Sequence, residues 1–275
     1  MASTDLAAFD LVSSWPVERV AVGAIDRKGE IHLFGDRGTF RIASVSKVMT
    51  SWATLIAVED GSVALDDPVG TDGCTLRHLL AHTGGYGFDT RDAIVSPGKK
   101  RIYSNTGYDM IGAHVAEHVE MDFDEYLAEA VFAPLGMDGA DLLGSPAKDV
   151  HCTIEDLARF AAELRTPSLI AASTAHEATT NQFGDVEGVV PGLGKFSPCN
   201  WGLGPEIRGH KWPHWTGSRN SSSTFGHFGG SGTFMWIDPV AHIAAFSLAN
   251  REFDDWAMHY WPMFSDAILD ELGRK

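Results

Sequence analysis

Ser44 and Lys47 stand three residues apart in Phe40-Arg41-Ile42-Ala43-Ser44-Val45-Ser46-Lys47-Val48-Met49-Thr50. A serine hydroxyl is hardly ionised at neutral pH. It becomes a nucleophile when a nearby amine takes its proton, or when the positive end of a helix dipole favours the alkoxide. The large apolar residues that follow, Val45, Val48, Met49, Trp52, Leu55 and Ile56, recur at the three-and-four spacing of a helix with one buried face, and Gly61 is a stop. Ser44 therefore opens a core helix, with Lys47 on its own face of that helix. The same spacing recurs at Ser96–Lys99 and Ser145–Lys148, but there a proline follows the serine and no apolar stripe begins. A capping serine and a solvated lysine explain those two copies. Only the first deserves the chemical reading.

Two further segments carry suitable chemistry. Tyr103-Ser104-Asn105 precedes a helical pattern. A phenol relays a proton between nucleophile and leaving group if a cation lowers its pKa, and Lys47 is expected to be that cation. The Asn105 carboxamide can accept from Lys47 and donate to a substrate carbonyl. In Gly226-His227-Phe228-Gly229-Gly230-Ser231-Gly232, glycines would let a substrate lie along a strand edge. The N–H groups of Ser44 and Gly230 are then the expected oxyanion hole. Alone, each segment reads more readily as a buried tyrosine with a turn asparagine, or as a glycine turn between strands.

Other candidates are weaker. His82-Thr83-Gly84 ends a helix and precedes no strand. His210 and His214 have helical spacing but Pro213 lies between them, so a loop and no metal site is expected. Gly229 to Thr233 lacks the final glycine of a Gly-x-Ser-x-Gly elbow. Asp66-Asp67 before Pro68 reads as a turn. Trp201, Trp212 and Trp215 belong either to the core or to a substrate wall.

The elements that must position these groups follow from patterning. Residues 4–14 suggest a short helix, 19–25 and 30–35 a hairpin, and 224–228, 232–237 and 242–249 three more strands. Helical patterns cover 76–82, 108–119, 123–132, 154–164 and 257–272, and 181–220 is loop-rich. Neither end has enough strands for a stable sheet alone. The expected fold is therefore α+β: one antiparallel sheet built from N- and C-terminal segments and flanked by helices, with an inserted, mostly helical domain. The division expected is 1–60 with 201–275 against 61–200, and the active site lies between them.

With 21 Lys and Arg against 37 Asp and Glu, the net charge of −16 disfavours nucleic acid and anionic membranes. There is no leader-like N-terminus and no run long enough to cross a membrane, so a cytoplasmic location is expected. Cys74, Cys152 and Cys199 are too few and too scattered for a disulfide framework or a zinc site.

Taken together, FRIASVSK, TLRHLLAHTGG, RIYSNTGY, FAPLGM, IEDLARF and GHFGG resemble, in order, landmarks of the class C β-lactamase-like serine hydrolases. That penicillin-binding-protein-like family includes lactamase-like carboxylesterases and D-aminopeptidases. The resemblance spans roughly residues 18–250. It implies Ser44 as acylated nucleophile, Lys47 as activator and Tyr103 as proton carrier. It also implies Asn105, His227, Phe228 and Gly229 as substrate-binding positions, and needs neither cofactor nor metal. His227 stands where penicillin-hydrolysing members carry lysine, and the chain looks shorter than many members. Both departures favour a carboxylesterase-like enzyme on small esters or amides. The alternatives are a β-lactamase, a D-Ala-D-Ala carboxypeptidase or D-aminopeptidase, or a non-catalytic ligand-binding or sensor protein of the same fold.

Overall fold

Along Val20–Ile25 (β1), successive side chains leave opposite faces of the strand, and both faces are buried: Ala21 and Ile25 enter one core, Val22 and Ala24 the other. The same alternation runs through Thr233–Asp238 (β5), with Met235 and Ile237 on one side and Phe234 and Trp236 on the other. A sheet with this pattern needs a covering layer on each face. The structure, a computed structural model, describes residues 6–273. Its six-stranded antiparallel sheet adds Ile31–Gly35 (β2), Glu206–Ile207 (β3), Phe225–Gly229 (β4) and Ile243–Ala249 (β6). The order is β2-β1-β6-β5-β4-β3, so strands from the two ends of the chain meet where β1 pairs with β6.

One face is covered by the helix Asp255–Gly273 and the 3-10 helix Ala7–Ser14, through Phe9, Trp15, Trp261 and Phe264. Part of the sequence expectation for 4–14 lies outside the described residues. The other face carries the helices Ser46–Glu59 (α1) and Ile154–Arg165, the second packing on the sheet although it lies within 61–200. Leu76–Leu80 (α2) and Asn105–Val119 (α3) pack against each other beside α1. Short strands that patterning does not foresee hold the intervening loops, including Phe40–Arg41 paired with Val150–Cys152, and Arg101–Ile102 paired with Gly188–Val190. Two or three residues are too few for a periodic signal. All three cysteines are buried thiols. Among the described residues, no helix is long and apolar enough to cross a membrane.

Candidate active site

The turn that carries Ser44 is strained and braced from two sides. Ala43 adopts φ 46°, a left-handed conformation that costs a non-glycine residue about 1–3 kcal/mol. Ser44 follows within a 3-10 turn, Ala43–Val45, and α1 proper starts at Ser46. Ser44 is thus one turn ahead of the helix where patterning puts it. Ser46 Oγ donates to the Ala43 carbonyl at 2.6 Å and accepts from Val150 N–H at 3.1 Å. From the sheet, Thr233 Oγ1 donates to the Ile42 carbonyl and Ser231 Oγ to that of Arg41, both at 2.8 Å. These contacts tie the turn to the β4–β5 connection and the start of β5, and Ser44 and Gly230 border the same cavities.

Lys47 is fully buried on the first turn of α1. Its Nζ donates to Asn105 Oδ1 at 2.6 Å and to the Ala147 carbonyl at 2.8 Å, and lies 4.7 Å from the centre of the Tyr103 ring. Burial, which disfavours the charged form, pushes its pKa down to about 7, against the pull of Asp109. A neutral amine has two N–H bonds. Both are used, so its lone pair remains to accept a proton.

Tyr103 follows the strand Arg101–Ile102, and Asn105 is the first residue of α3, behind a Ser104 cap that accepts from Gly107 N–H. The sequence expectation for Tyr103 is reversed. Burial raises its pKa, with only partial relief from the adjacent Ser44 hydroxyl. The phenol stays protonated at neutral pH, a donor rather than a phenolate. Asn105 accepts from Lys47 as expected, while its amide donates to Asp89 Oδ1 at 3.0 Å.

His227 also departs from its ordinary titration range. Burial first, and Lys47 second, push its pKa down to about 4. Its Nδ1 lies 2.6 Å from the Phe228 carbonyl, which can only accept, so Nδ1 carries the hydrogen. Nε2 then presents a lone pair to Tyr103 Oη at 3.5 Å.

Ser44 borders two cavities. One, about 170 Å³, lies on the Tyr103 side and is walled by Tyr103, Trp201, His227, Phe228, Val190 and Phe253. The other, about 560 Å³, is more polar and reaches Asn105, Lys148, Arg41 and Gly230.

His82 packs behind Tyr103, a place the sequence did not foresee, and Trp201 takes the wall place the sequence left open. His82 is buried with φ 57°, accepts from Ser104 N–H through Nδ1, and lies 4.5 Å from the Tyr103 ring. Trp201 meets Tyr103 and His227 edge-on at 5.9 and 5.6 Å. Its loop is anchored by a buried ion pair: Lys211 Nζ lies 3.0 Å from Glu206 Oε1 and donates to the Asn200 carbonyl. His214 and Trp215 complete the cluster on Glu206. His214 is therefore a loop residue facing a carboxylate, apart from exposed His210, and Trp212 is exposed. Of the three tryptophans, Trp201 is wall and Trp215 core. The decoy serines are elsewhere: Ser96 is exposed and Ser145 Oγ donates to Asp109.

The Beta-lactamase family model matches residues 20–267. The chain belongs to the Beta-lactamase family. It is 44% identical to a crystal structure of a β-lactamase from Mycobacterium bovis, with TM-score 0.95, covering 97% of this chain and all of that one. At 19% and 16% identity, a penicillin-binding protein homologue from Pyrococcus abyssi (TM-score 0.75, 95% of this chain and 75% of that one) and the hydrolase EstCE1 (0.79, 95% and 96%) share the fold. Among curated relatives, a Yersinia enterocolitica β-lactamase is 24% identical over 61% of this chain, and penicillin-binding protein 4* of Bacillus subtilis 25% identical over 36%. The matched segments span only 58% and 29% of those proteins.

In this β-lactamase-family site the close approach of β4 to the Ser44 turn depends on Gly229. A Cβ there would lie 2.3 Å from the Ile42 carbonyl oxygen and 2.4 Å from Thr233 Oγ1. Gly229→Ala is expected to cost about 1–3 kcal/mol in urea denaturation, as overpacking does. By contrast, a Cβ on Gly230 meets nothing within 4 Å, so Gly230→Ala should leave stability unchanged. Equal effects would show that no close contact joins strand and turn.

Proposed function

We propose that this protein is a serine hydrolase that forms an acyl-enzyme on Ser44 and prefers small neutral esters. The observation that carries the chemistry is the buried Lys47 amine, with both N–H bonds engaged and its pKa pushed down to about 7. In this reading Lys47 takes the Ser44 proton as the hydroxyl attacks the carbonyl. The N–H groups of Ser44 and Gly230 hold the oxyanion. Tyr103 gives its proton to the departing alkoxide, regains one by way of Lys47, and in the second step the same groups activate water. The leaving group must lie within reach of Tyr103, so it occupies the smaller apolar cavity, and the acyl group the larger polar one. Asn105, Phe228 and Gly229 line or brace the substrate path. The proposal requires no cofactor, and the substrate is a small molecule.

Preference for a neutral ester rests on His227. A permanent cation on that strand would give a substrate carboxylate a charge-assisted hydrogen bond worth about 1.5–3 kcal/mol, roughly ten- to over a hundredfold in kcat/KM. His227, pushed down to about 4, is uncharged across the working range. β-Lactam hydrolysis is the second reading, supported by the 44%-identical structure described as a β-lactamase. Wild type should hydrolyse a p-nitrophenyl ester better than nitrocefin at pH 7.5, and His227→Lys should narrow that gap by about tenfold or more. The ratio should hold down to pH 6, rather than shift as an ordinary histidine with a pKa near 6.5 would make it. Preference for nitrocefin, with a ratio unmoved by His227→Lys, would replace the esterase reading with the lactamase one.

A further inference from the structure

Away from Ser44, two histidines share one face of α3. His114 and His118 are four residues apart, one helical turn, and their ring centres lie 4.1 Å apart. The loop between α1 and α2 brings Asp67 to them, with its Oδ2 3.2 Å from His114 Nε2. One nitrogen from each ring and one carboxylate oxygen all lie within 4.8 Å of one another. We propose that Asp67, His114 and His118 form a binding site for a divalent transition-metal ion such as zinc or nickel, clamping this loop to α3.

The donor set suits such ions, since imidazole and carboxylate both bind zinc and nickel. Ligand atoms about 2.0–2.2 Å from a tetrahedral zinc lie about 3.3 Å from each other. The His114–Asp67 separation of 3.2 Å already meets that spacing. The tautomer of His118 is fixed by the backbone. Its Nδ1 lies 2.8 Å from the His114 carbonyl, which can only accept, so Nδ1 carries the hydrogen and Nε2 the lone pair. Metal-binding histidines are commonly oriented by such a carbonyl. Asp67 is preorganised too, because it accepts from Ala64 N–H at 2.7 Å while its carbonyl accepts from Leu76 N–H.

The hydrogen now shared between His114 and Asp67 must leave Nε2, so the ion takes the place of a proton. Solvent reaches the trio, since Asp67 and His118 border an open surface cavity of about 430 Å³ with Val63 and Leu65, and water can complete the coordination. A plain His114–Asp67 pair would account for two of the residues but not for exposed His118 aligned above them. None of the three lines either cavity at Ser44.

The test is calorimetric titration of the chelator-treated, dialysed full chain with zinc chloride, repeated with cobalt chloride and read by visible absorption. One ion per chain with a micromolar Kd is expected, together with a tetrahedral cobalt band. His118→Ala, at an exposed position that should not disturb folding, and His114→Ala should each weaken binding about tenfold or more and remove the band. Absence of a saturable site below millimolar zinc overturns the proposal. So does an isotherm unchanged in His118→Ala, which would put the ion on other histidines.

Discussion

Ser44→Ala is expected to lower turnover of a neutral p-nitrophenyl ester by about 10⁴-fold or more, since the variant lacks the atom that forms the acyl bond. The fold should survive. Ser44 makes no cap bond to α1, whose N-terminus has no side-chain cap, and the turn is held instead by Ser46, Ser231 and Thr233. The loss would therefore be chemical rather than structural, and thermal melts of the two proteins should nearly coincide. A fluorophosphonate probe should add one mass increment to wild type, mapped to the peptide containing Ser44, and none to Ser44→Ala. An adduct on Ser96, Ser145 or Ser231, or residual turnover near wild type, would remove Ser44 from the mechanism.

Lys47→Ala and Tyr103→Phe should each reduce kcat/KM by about 10²–10⁴-fold, the range of a general acid or base. The double variant should lose far less than the product, because both residues serve one proton path. The pH profile gives an independent reading. Only the neutral Lys47 amine can accept the Ser44 proton, and burial puts its pKa at about 7. Activity of wild type should therefore rise as pH increases through about 7 and then level off. The phenol of Tyr103, raised by burial, stays a donor over the whole range, and His227 at about 4 adds no inflection near neutrality. In Lys47→Ala the rise near pH 7 should vanish along with the rate. A profile that keeps this inflection, or strictly multiplicative losses, would place the proton path on other groups.

Much of the site was legible because its signals are local. The apolar spacing after Ser44 marks a helix of the core, and it separates the Ser44–Lys47 pair from two copies of the same spacing that the structure leaves exposed or bonded to Asp109. The short apolar runs at 19–25, 232–237 and 242–249 mark strands, and the small number of strands at each end requires them to join. The His114–His118 spacing within the pattern for 108–119 carries no meaning on its own. Asp67, which gives it chemical meaning, lies on a turn far away in sequence, and no local rule brings the two together.

By itself, then, the sequence placed Ser44 and Lys47 on one helix face and marked the strands that must join, while the grouping of Tyr103 and the 226–232 segment with them rested on the family resemblance. The tertiary structure alone decided their protonation states and surroundings. Desolvation depends on everything packed around a group, which is why Lys47 and His227 are pushed down and Tyr103 is pushed up rather than down. The same holds for the left-handed turn at Ala43, held by hydrogen bonds from residues about 190 positions distant, and for His82 and Trp201, which pack against Tyr103. Periodicity is a property of neighbours along the chain. Burial is a property of neighbours in space, and the chemistry here depends on burial.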